Sequence, residues 1–236
     1  MTLSTLYLIP VTLGDDNVTR VLPSHVIQIA QKLEFFIVEN EKTARHFLST
    51  IKTARPVRDL QLLTLNEHTL DKEIPVLLKP LLAGLDVGLM SEAGCPGIAD
   101  PGAKLVELAH KNKIKVEPLV GPSSILLSLM ASGFNGQRFT FLGYIPADKS
   151  ARIQRLKEIE KNSQKHQETQ IFIETPYRNQ HLFDDILAHC SLTTRLCVAC
   201  NISLSDEMIV SKTIAEWNKT PAPNLHKKPT VFLLLA

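Results

Sequence analysis

Two short clusters place carboxylates beside basic side chains, a combination that can transfer protons or bind phosphate. In the first, Glu39 lies three residues before Lys42, and in the second, Glu174 lies four residues before Arg178. Each cluster comes at the end of an apolar stretch that reads as a β-strand. Charged residues at strand ends often belong to a functional site. Without further information, either cluster could equally be a solvated or ion-paired surface.

A loop rich in glycine and proline, residues 90–102 (MSEAGCPGIADPG), follows a predicted strand at 85–90 and precedes a predicted helix at 103–111. It contains three glycines and two prolines. Proline fixes the backbone, and glycine lets the backbone approach another group closely. The carboxyl end of a strand in an open α/β sheet is the usual place for a ligand crevice. We therefore predict a ligand-binding loop rather than an ordinary connection.

A second change of character occurs at residues 120–124 (VGPSS), which open an apolar helix predicted at 125–131. The serines can cap this helix, and its free backbone N–H groups can serve a polar ligand. A plain helix cap accounts for the serines equally well.

Cys197 and Cys200, with His189 and Cys190 upstream, raise the question of a zinc or redox site. The stretch between Cys197 and Cys200 reads as a strand, so the two thiols should point to opposite faces. We therefore expect buried core cysteines and no metal site. The sequence also contains no Walker loop, no Ser-His-Asp set and no G-x-G-x-x-G fingerprint.

The predicted helix at 150–165 and the residues just before it carry a set of basic side chains. They alternate with acidic ones, so a solvated face held by salt bridges is one interpretation. An edge that contacts phosphate is the other. The basic residues are Lys149, Arg152, Arg155, Lys157, Lys161 and Lys165.

Elements predicted from apolar periodicity alternate between strand and helix, which indicates an α/β fold. The first half should form a largely parallel sheet, while the second half has more strand and fewer helical crossovers. We predict two α/β domains, residues 1–117 and 118–236. The strands are expected at 5–10, 35–38, 60–65, 85–90, 138–143, 170–174, 195–201, 209–212 and 230–235. The helices are expected at 21–33, 41–51, 70–85 (interrupted by two prolines), 103–111, 125–131, 150–165, 179–189 and 214–218.

The composition is that of an ordinary globular protein, with 236 residues, 44% hydrophobic residues and a net charge of +2. That charge is far from the strongly basic balance of an obligate nucleic-acid binder. The sequence contains no apolar run long enough to span a membrane and no visible secretory signal. Four cysteines without such a signal suggest reduced thiols, so we expect a cytoplasmic protein.

Five segments, in this order and spacing, resemble the tetrapyrrole methylase superfamily, and within it the ribosomal RNA small-subunit methyltransferase I type. The segment at 91–102 is the most specific of them. The segments are 6–15 (LYLIPVTLGD), 91–102 (SEAGCPGIADPG), 120–124 (VGPSS), 141–146 (FLGYIP) and 172–178 (FIETPYR). The resemblance extends over most of the chain.

This resemblance implies two α/β domains with S-adenosylmethionine (SAM) in the cleft between them, and a homodimer. It implies 2′-O-methylation of a cytidine in 16S ribosomal RNA. It also implies cofactor contacts after the first strand, in the rigid loop, at the serines and at two strand ends in the second half. These contacts fall on Leu13, Glu92, Ala93, Gly94, Pro96, Ile98, Ser123, Ser124, Glu174 and Thr230.

For the reaction, we hypothesise that Glu39 or Glu174 lies near the acceptor hydroxyl as a base, with Lys42 and Arg178 orienting a carboxylate or binding phosphate. The chain departs from the family pattern at 39–42, where an acidic-Asp-Thr-Arg segment is usual, and at Glu92, where Asp is usual. Two other functions stay open at this point. One is methylation of a small molecule such as a tetrapyrrole, and the other is a SAM-binding or RNA-binding protein without turnover.

Overall fold

A computed structural model describes residues 4–14 and 17–236 and divides the chain into two compact units, Met1–Ser123 and Ser124–Ala236. The sequence prediction had placed the division between residues 117 and 118. The resembling segment at 6–15 ends on Asp15, which lies outside the described residues.

Over the residues that the structure describes, the N-terminal unit holds a five-stranded sheet in which all neighbouring strands are parallel. Its order is β3-β2-β4-β1-β5. The strands are β1 (Thr5–Leu8), β2 (Phe35–Val38), β3 (Gln61–Thr64), β4 (Val87–Met90) and β5 (Lys115–Pro118). The parallel sheet predicted for the first half is confirmed.

Helices cover both faces of this sheet. They are α1 (Val18–Val21), α2 (Ser24–Lys32), α3 (Glu41–Ile51), α4 (Ile74–Leu77), α5 (Lys79–Leu82) and α6 (Gly102–Lys111), with a 3-10 turn at Val57–Asp59. Because side chains alternate along a strand, Phe36 packs with α2 and α3 while Ile37 packs with α4, α5 and α6. The helix predicted at 70–85 is two short helices. Pro75 and Pro80 each stand in a first turn, where a proline needs no N–H partner.

The order of the strands creates a switch point between β1 and β4, which are neighbours in the sheet. The chain leaving β1 crosses to β2 on one side, whereas the chain leaving β4 crosses to β5 on the other. Loops that leave in opposite directions open a crevice at the carboxyl ends of the strands, where α/β proteins bind their ligands. The loop at 91–102 leaves β4 at this point.

The C-terminal unit holds a second five-stranded sheet over the described residues, in the order β6-β7-β10-β8-β9. Its strands are β6 (Phe139–Tyr144), β7 (Thr169–Ile173), β8 (Arg195–Cys200), β9 (Met208–Thr213) and β10 (Thr230–Leu235). Strands β6 and β7 pair in parallel, and the pairs that β10 makes with β7 and β8, and β8 with β9, are antiparallel. Strand β10 is almost entirely apolar because it is central and buried on both faces.

The helices of this unit are α7 (Ser124–Ser132), α8 (Lys149–His166), α9 (Asn179–His189) and α10 (Ile214–Trp217). One face of the sheet packs against α8, α9 and α10 in a core that contains Phe183 and Trp217, whose rings meet edge to face. Helix α7 packs against β9 and β10.

The two cysteines of β8 lie on opposite faces of the strand, as predicted. Cys200 shares the helix-covered core with Leu196 and Val198, whereas Cys197 follows the alternate register and is also fully buried. Among residues 4–14 and 17–236, no group of three or more histidine, cysteine or acidic side chains is arranged to hold a metal ion. In the same part of the chain, no helix is both long and apolar enough to cross a membrane.

Candidate functional site

Three loops interlock at the carboxyl ends of β1, β4 and β5. The Val11 N–H donates to the Gly94 carbonyl at 2.9 Å, which joins the loop after β1 to the loop after β4. The Cys95 thiol donates to the Pro122 carbonyl at 3.3 Å, which joins the loop after β4 to the loop after β5. The three segments that the sequence singled out in the first 123 residues therefore meet in one place.

Two glycines are required by this interlocking. Gly94 has φ +73°, and a Cβ there would lie 3.3 Å from both the Leu13 side chain and the Pro122 carbonyl oxygen. A Cβ on Gly121 would lie 2.2 Å from the ring of Pro10, a separation that real atoms do not reach. Glycine is needed at Gly121 because the ring of Pro10 fills the position of a Cβ, and at Gly94 because φ is positive and the Pro122 carbonyl lies close.

The shape of the 91–102 loop is set by Asp100, a residue that the sequence analysis did not single out. Its carboxylate accepts hydrogen bonds from the Gly97 N–H at 2.8 Å and the Gly102 N–H at 2.7 Å. Ala99 takes a left-handed φ of +61°, which a non-glycine residue adopts only when its surroundings hold it there. Burial raises the pKa of Asp100, although these backbone N–H groups oppose the rise. An Asp close to glycines in a tight loop was the available signal.

The loop presents some of the predicted cofactor residues to the outside and encloses others. Glu92, Ala93 and Ile98 are exposed, whereas Gly94 and Pro96 are buried. Three further predicted cofactor residues, Leu13, Ser123 and Ser124, are half-buried. An exposed backbone on a rigid, glycine-shaped frame suits the binding of a polar ligand.

Glu39 follows β2 and contacts this loop directly. Its Oε2 accepts a hydrogen bond from the Glu92 N–H at 3.0 Å, and its own N–H donates to the Met90 carbonyl at 3.2 Å. Burial raises the pKa of Glu39, and the carboxylates of Glu92, Asp100 and Glu67 raise it further against the lowering effect of that backbone bond. A carboxylate in this environment binds a proton more readily than an exposed one, as a general base requires.

A cavity of about 410 Å³ lies within the N-terminal unit beside these groups. It is lined by Lys42 and Glu92, by several residues with hydroxyl groups and by Phe47, so it combines charged, polar and apolar residues as ligand pockets do. Its lining residues are Val11, Thr12, Gly14, Val18, Lys42, Thr43, Ala44, His46, Phe47, Thr50, Met90, Ser91 and Glu92.

Glu41 and Arg45 of the same cluster form an exposed ion pair at 3.2 Å along α3. Asn40 caps this helix, its side chain accepting from the N–H groups of Lys42 and Thr43. Within the cluster at 39–42, Glu41 is therefore part of a solvated surface, whereas Glu39 and Lys42 are directed to the loop and the cavity.

The second predicted cluster lies in the C-terminal unit, on the turn between β7 and α9. The Glu174 side chain is fully buried, and its Oε1 accepts from the Thr175 N–H and the Arg178 guanidinium, both at 2.6 Å. The hydrogen bond with Glu174 raises the pKa of Arg178 above its ordinary value. This pair ties both ends of the turn together.

A second segment, the residues before β10, fixes this turn from outside. The Lys227 N–H donates to the Pro176 carbonyl at 2.9 Å, and the Asn179 amide donates to the Lys228 carbonyl at 2.7 Å. Antiparallel pairing of β10 with β7 places Thr230, a predicted cofactor residue, next to Glu174 across the sheet. Asn179 was not foreseen, because nothing in its local sequence separates it from an ordinary first residue of a helix.

The basic helix α8 divides into a buried residue and an exposed set. Arg152 is buried in a 2.6 Å ion pair with Asp185 of α9, and it also donates to the Ala147 carbonyl at 2.8 Å. Arg152 is thus a structural residue and not part of an edge that contacts phosphate. The lysines at 149, 157, 161 and 165 are exposed.

Two of the cysteines that the sequence analysis considered for a zinc or redox site are unreactive. Burial raises the pKa of the Cys190 and Cys197 thiols to about 12, so neither is a thiolate near neutral pH.

Solved methyltransferases share this fold. The chain superposes on cobalt precorrin-4 methyltransferase CbiF with a TM-score of 0.61, covering 98% of this chain and 94% of that one at 15% identity. It superposes on the methyltransferase CobJ with a TM-score of 0.63, covering 100% and 94% at 14% identity. At these identities the likeness establishes the architecture alone, which consists of two α/β units.

Sequence similarity narrows the class. The chain is 30% identical to the ribosomal RNA small subunit methyltransferase I of Vibrio cholerae, covering 98% of this chain and 76% of that one. It is 28% identical to the protein of the same name from Xylella fastidiosa, covering 88% and 72%. The sequence model of the tetrapyrrole (corrin/porphyrin) methylases matches residues 5–218. The chain belongs to this family, and it is a methyltransferase.

Proposed function

We propose that this protein transfers a methyl group from SAM to the 2′-hydroxyl of a cytidine ribose in 16S ribosomal RNA. The observation that carries the proposal is the Glu39 carboxylate, which accepts from the N–H of Glu92, a residue that lines a cavity together with Lys42. The relatives named for ribosomal RNA supply the substrate class, since they align over nearly the whole chain.

The loops of the N-terminal unit fit a cofactor such as SAM. Gly94 and Gly121 let these loops pack tightly on one another, whereas Gly97 has no atom within 4 Å of the position of a Cβ, which leaves space beside the backbone of the 91–102 loop. The residues of the N-terminal unit that would hold the cofactor are Leu13, Glu92, Ala93, Gly94, Pro96, Ile98 and Ser123. When bound, SAM supplies a methyl group on a positively charged sulfur, which is a good leaving group.

The chain itself has to align the acceptor and accept a proton. A ribose hydroxyl is weakly acidic, and Glu39 is the carboxylate in a suitable environment to take up that proton, because burial and neighbouring carboxylates raise its pKa. The Glu92 N–H fixes the orientation of the Glu39 carboxylate. Lys42 lines the cavity and can bind a backbone phosphate, so that the nucleotide is held in one orientation.

Of the two carboxylates predicted near the acceptor, we assign the base to Glu39 and a binding role to Glu174. The Glu174 Oε1 is committed to Thr175 and Arg178 in a buried ion pair. The Glu174 side chain is fully buried and held in place by these two contacts, which suits a residue that positions a ligand.

We also propose a homodimer in the cytoplasm. Helix α7 carries no charged residue, and its Leu126 and Met130 are 52% and 79% exposed. Apolar residues exposed on one helix form a surface suited to a second copy. Sedimentation of the protein and of Met130→Glu tests this, and a monomer at all concentrations would contradict it.

The experiment that tests the proposed function is methyl transfer from labelled SAM to small ribosomal subunits taken from a strain without this protein. We expect label in 16S RNA, mapping to the ribose of a cytidine. SAM binding by calorimetry without any label in RNA would remove ribosomal RNA as the substrate and direct the search to small molecules.

A further inference from the structure

Three buried polar atoms at the turn between β7 and α9 have no hydrogen-bond partner among the described residues, namely Glu174 Oε2, Arg178 Nε and, at the first residue of α9, Asn179 Oδ1. Buried polar atoms are nearly always paired in folded proteins, so an unpaired acceptor and donor in one place indicate a ligand.

Glu174 Oε2 and Arg178 Nε are buried and have no partner in the described part of the chain, while the turn that carries them is fixed by its other bonds. A carboxylate and a guanidinium often pair through two parallel hydrogen bonds. Here the bond runs from the Arg178 Nη2 to the Glu174 Oε1 alone. The Arg178 N–H donates to the Thr175 carbonyl at 2.9 Å, and the Lys227 N–H holds the Pro176 carbonyl. An acceptor and a donor are therefore presented from one rigid five-residue segment.

Such a pair matches a ligand edge on which a donor stands beside an acceptor. The amino edge of cytosine offers its exocyclic amine beside ring N3, and that of adenine offers its amine beside ring N1. Uracil and hypoxanthine present the opposite pattern at the same positions, a carbonyl beside a ring N–H. A carboxylate oxygen can accept but never donate, so Glu174 discriminates between the two patterns.

Two exposed tyrosines lie close to this pair along the chain and across the sheet, and the ring of Tyr177 also meets the His226 ring edge to face, with the Lys227 ammonium over it. Tyr177 lies within the turn and is 66% exposed. Tyr144, at 60% exposure, ends β6 opposite Ile173, the residue before Glu174. Aromatic rings near an open donor and acceptor are the usual means of holding an unstacked base.

We propose that Glu174 and Arg178 bind the amino edge of a nucleobase, with Oε2 accepting from the exocyclic amine and Nε donating to the adjacent ring nitrogen. This inference rests on the proposed function, in which two such bases occur: the adenine of SAM and the cytosine of the acceptor nucleotide. Both have the same edge, so the test has one arm for each.

The first arm measures, by calorimetry, the affinity of the full chain for S-adenosyl-L-homocysteine and for S-inosyl-L-homocysteine. The second arm measures affinity for oligocytidylate and oligouridylate of equal length. One of the two arms uses the base that Glu174 and Arg178 bind. In that arm, we expect wild type to bind the ligand with the amino group about tenfold or more tightly than its partner, because a hydrogen bond to a charged group is worth about that much. Glu174→Gln can donate as well as accept, so that preference should fall to about twofold or less.

Glu160→Gln is the matched control. Glu160 is also a carboxylate of the C-terminal unit, but its Oε1 accepts from the chain's own Ser191 and Thr194. This variant should keep the wild-type preference in both arms. If Glu174→Gln does not give a cooperative thermal transition, Arg178→Gln replaces it, because Arg178 is 40% exposed at its side chain.

Equal preferences in wild type and in the Glu174 or Arg178 variant overturn the proposal, as does an equal loss of affinity for both members of each pair. The outcome is separable from that of the proposed function. If ribosomal RNA is methylated but the Glu174 variant keeps the wild-type ligand preferences, the proposed function holds and the base-binding proposal is wrong. Lost adenine preference without methylated RNA would leave the base-binding role of Glu174 standing alone.

Discussion

Glu39 and Glu174 are the same residue type, each directly after a strand, yet their surroundings are opposite. Glu39 is half-buried, lacks a cationic partner among the contacts described for it, and lies near three other carboxylates, so its pKa is raised. Glu174 is fully buried and held by a guanidinium at 2.6 Å. A carboxylate that follows a strand thus lies at the functional edge of the sheet. The charges around it then decide whether it transfers protons or binds a ligand.

The strongest test of this contrast is Glu39→Gln. Removal of the base should lower kcat by about 100-fold or more, with the dissociation constant of SAM changed by less than about threefold. Single-turnover methylation and calorimetry measure the two effects. A loss of SAM binding equal to the loss of rate would make Glu39 a cofactor residue instead.

Replacement of each carboxylate by alanine should lower the free energy of unfolding by different amounts. Glu174→Ala leaves the Arg178 guanidinium and the Thr175 N–H without their acceptor and should lower the free energy of unfolding by about 1–3 kcal/mol. Glu39→Ala removes a desolvated, repelled carboxylate and should lower it by less. Urea denaturation at neutral pH measures both, and equal losses would contradict the assignment.

The dependence of stability on pH should sharpen the contrast further. The folded state raises the pKa of Glu39 above its ordinary value of 4.5, so it binds the proton more tightly than the unfolded chain does. The contribution of Glu39 to stability is therefore fully present below about pH 4.5. It is lost as the pH rises through the pKa of the folded state. Glu39→Gln should weaken that fall, so the variant should gain stability relative to wild type as the pH rises toward neutral. The free energies of unfolding of both proteins, measured from about pH 4 to about pH 8, test this expectation. Parallel pH dependences for the two proteins would refute it.

The smallest effect is expected for Glu41→Gln, the matched control within the first cluster. Glu41 makes an exposed ion pair with Arg45, and such pairs contribute about 0–1 kcal/mol. Turnover should stay within about twofold of wild type, and the free energy of unfolding should change by at most about 1 kcal/mol. A drop as large as that of Glu39→Gln would mean that the whole cluster, rather than Glu39, forms the catalytic group.

Local periodicity was sufficient to locate most of the elements, although β5 and α1 are absent from the prediction. The strands Phe35–Val38 and Thr230–Leu235 and the helices Glu41–Ile51 and Asn179–His189 have their predicted bounds. These segments combine a clear apolar pattern with capping or breaking residues at their ends. The short helices within 70–85 were harder, since proline both starts and interrupts a helix.

Contacts between distant segments could not be predicted in this way. The insertion of β10 between β7 and β8 depends on pairing across many residues, which no local pattern encodes. The burial of Arg152 against Asp185 follows from the packing of α8 on α9, and from sequence it resembles its exposed neighbours. The open oxygen of Glu174 depends on the geometry of one ion pair.

The central place of β10 has a consequence for the order in which the protein forms during translation. The parallel sheet of the N-terminal unit is complete once β5 has emerged, so that unit can fold while later residues are still being added. The second sheet consists until then of two separate pairs, β6 with β7 and β8 with β9, which share no ladder. It closes only when residues 230–235 leave the exit tunnel, so a nascent chain stalled before them should carry a protease-resistant first unit and a protease-sensitive second one.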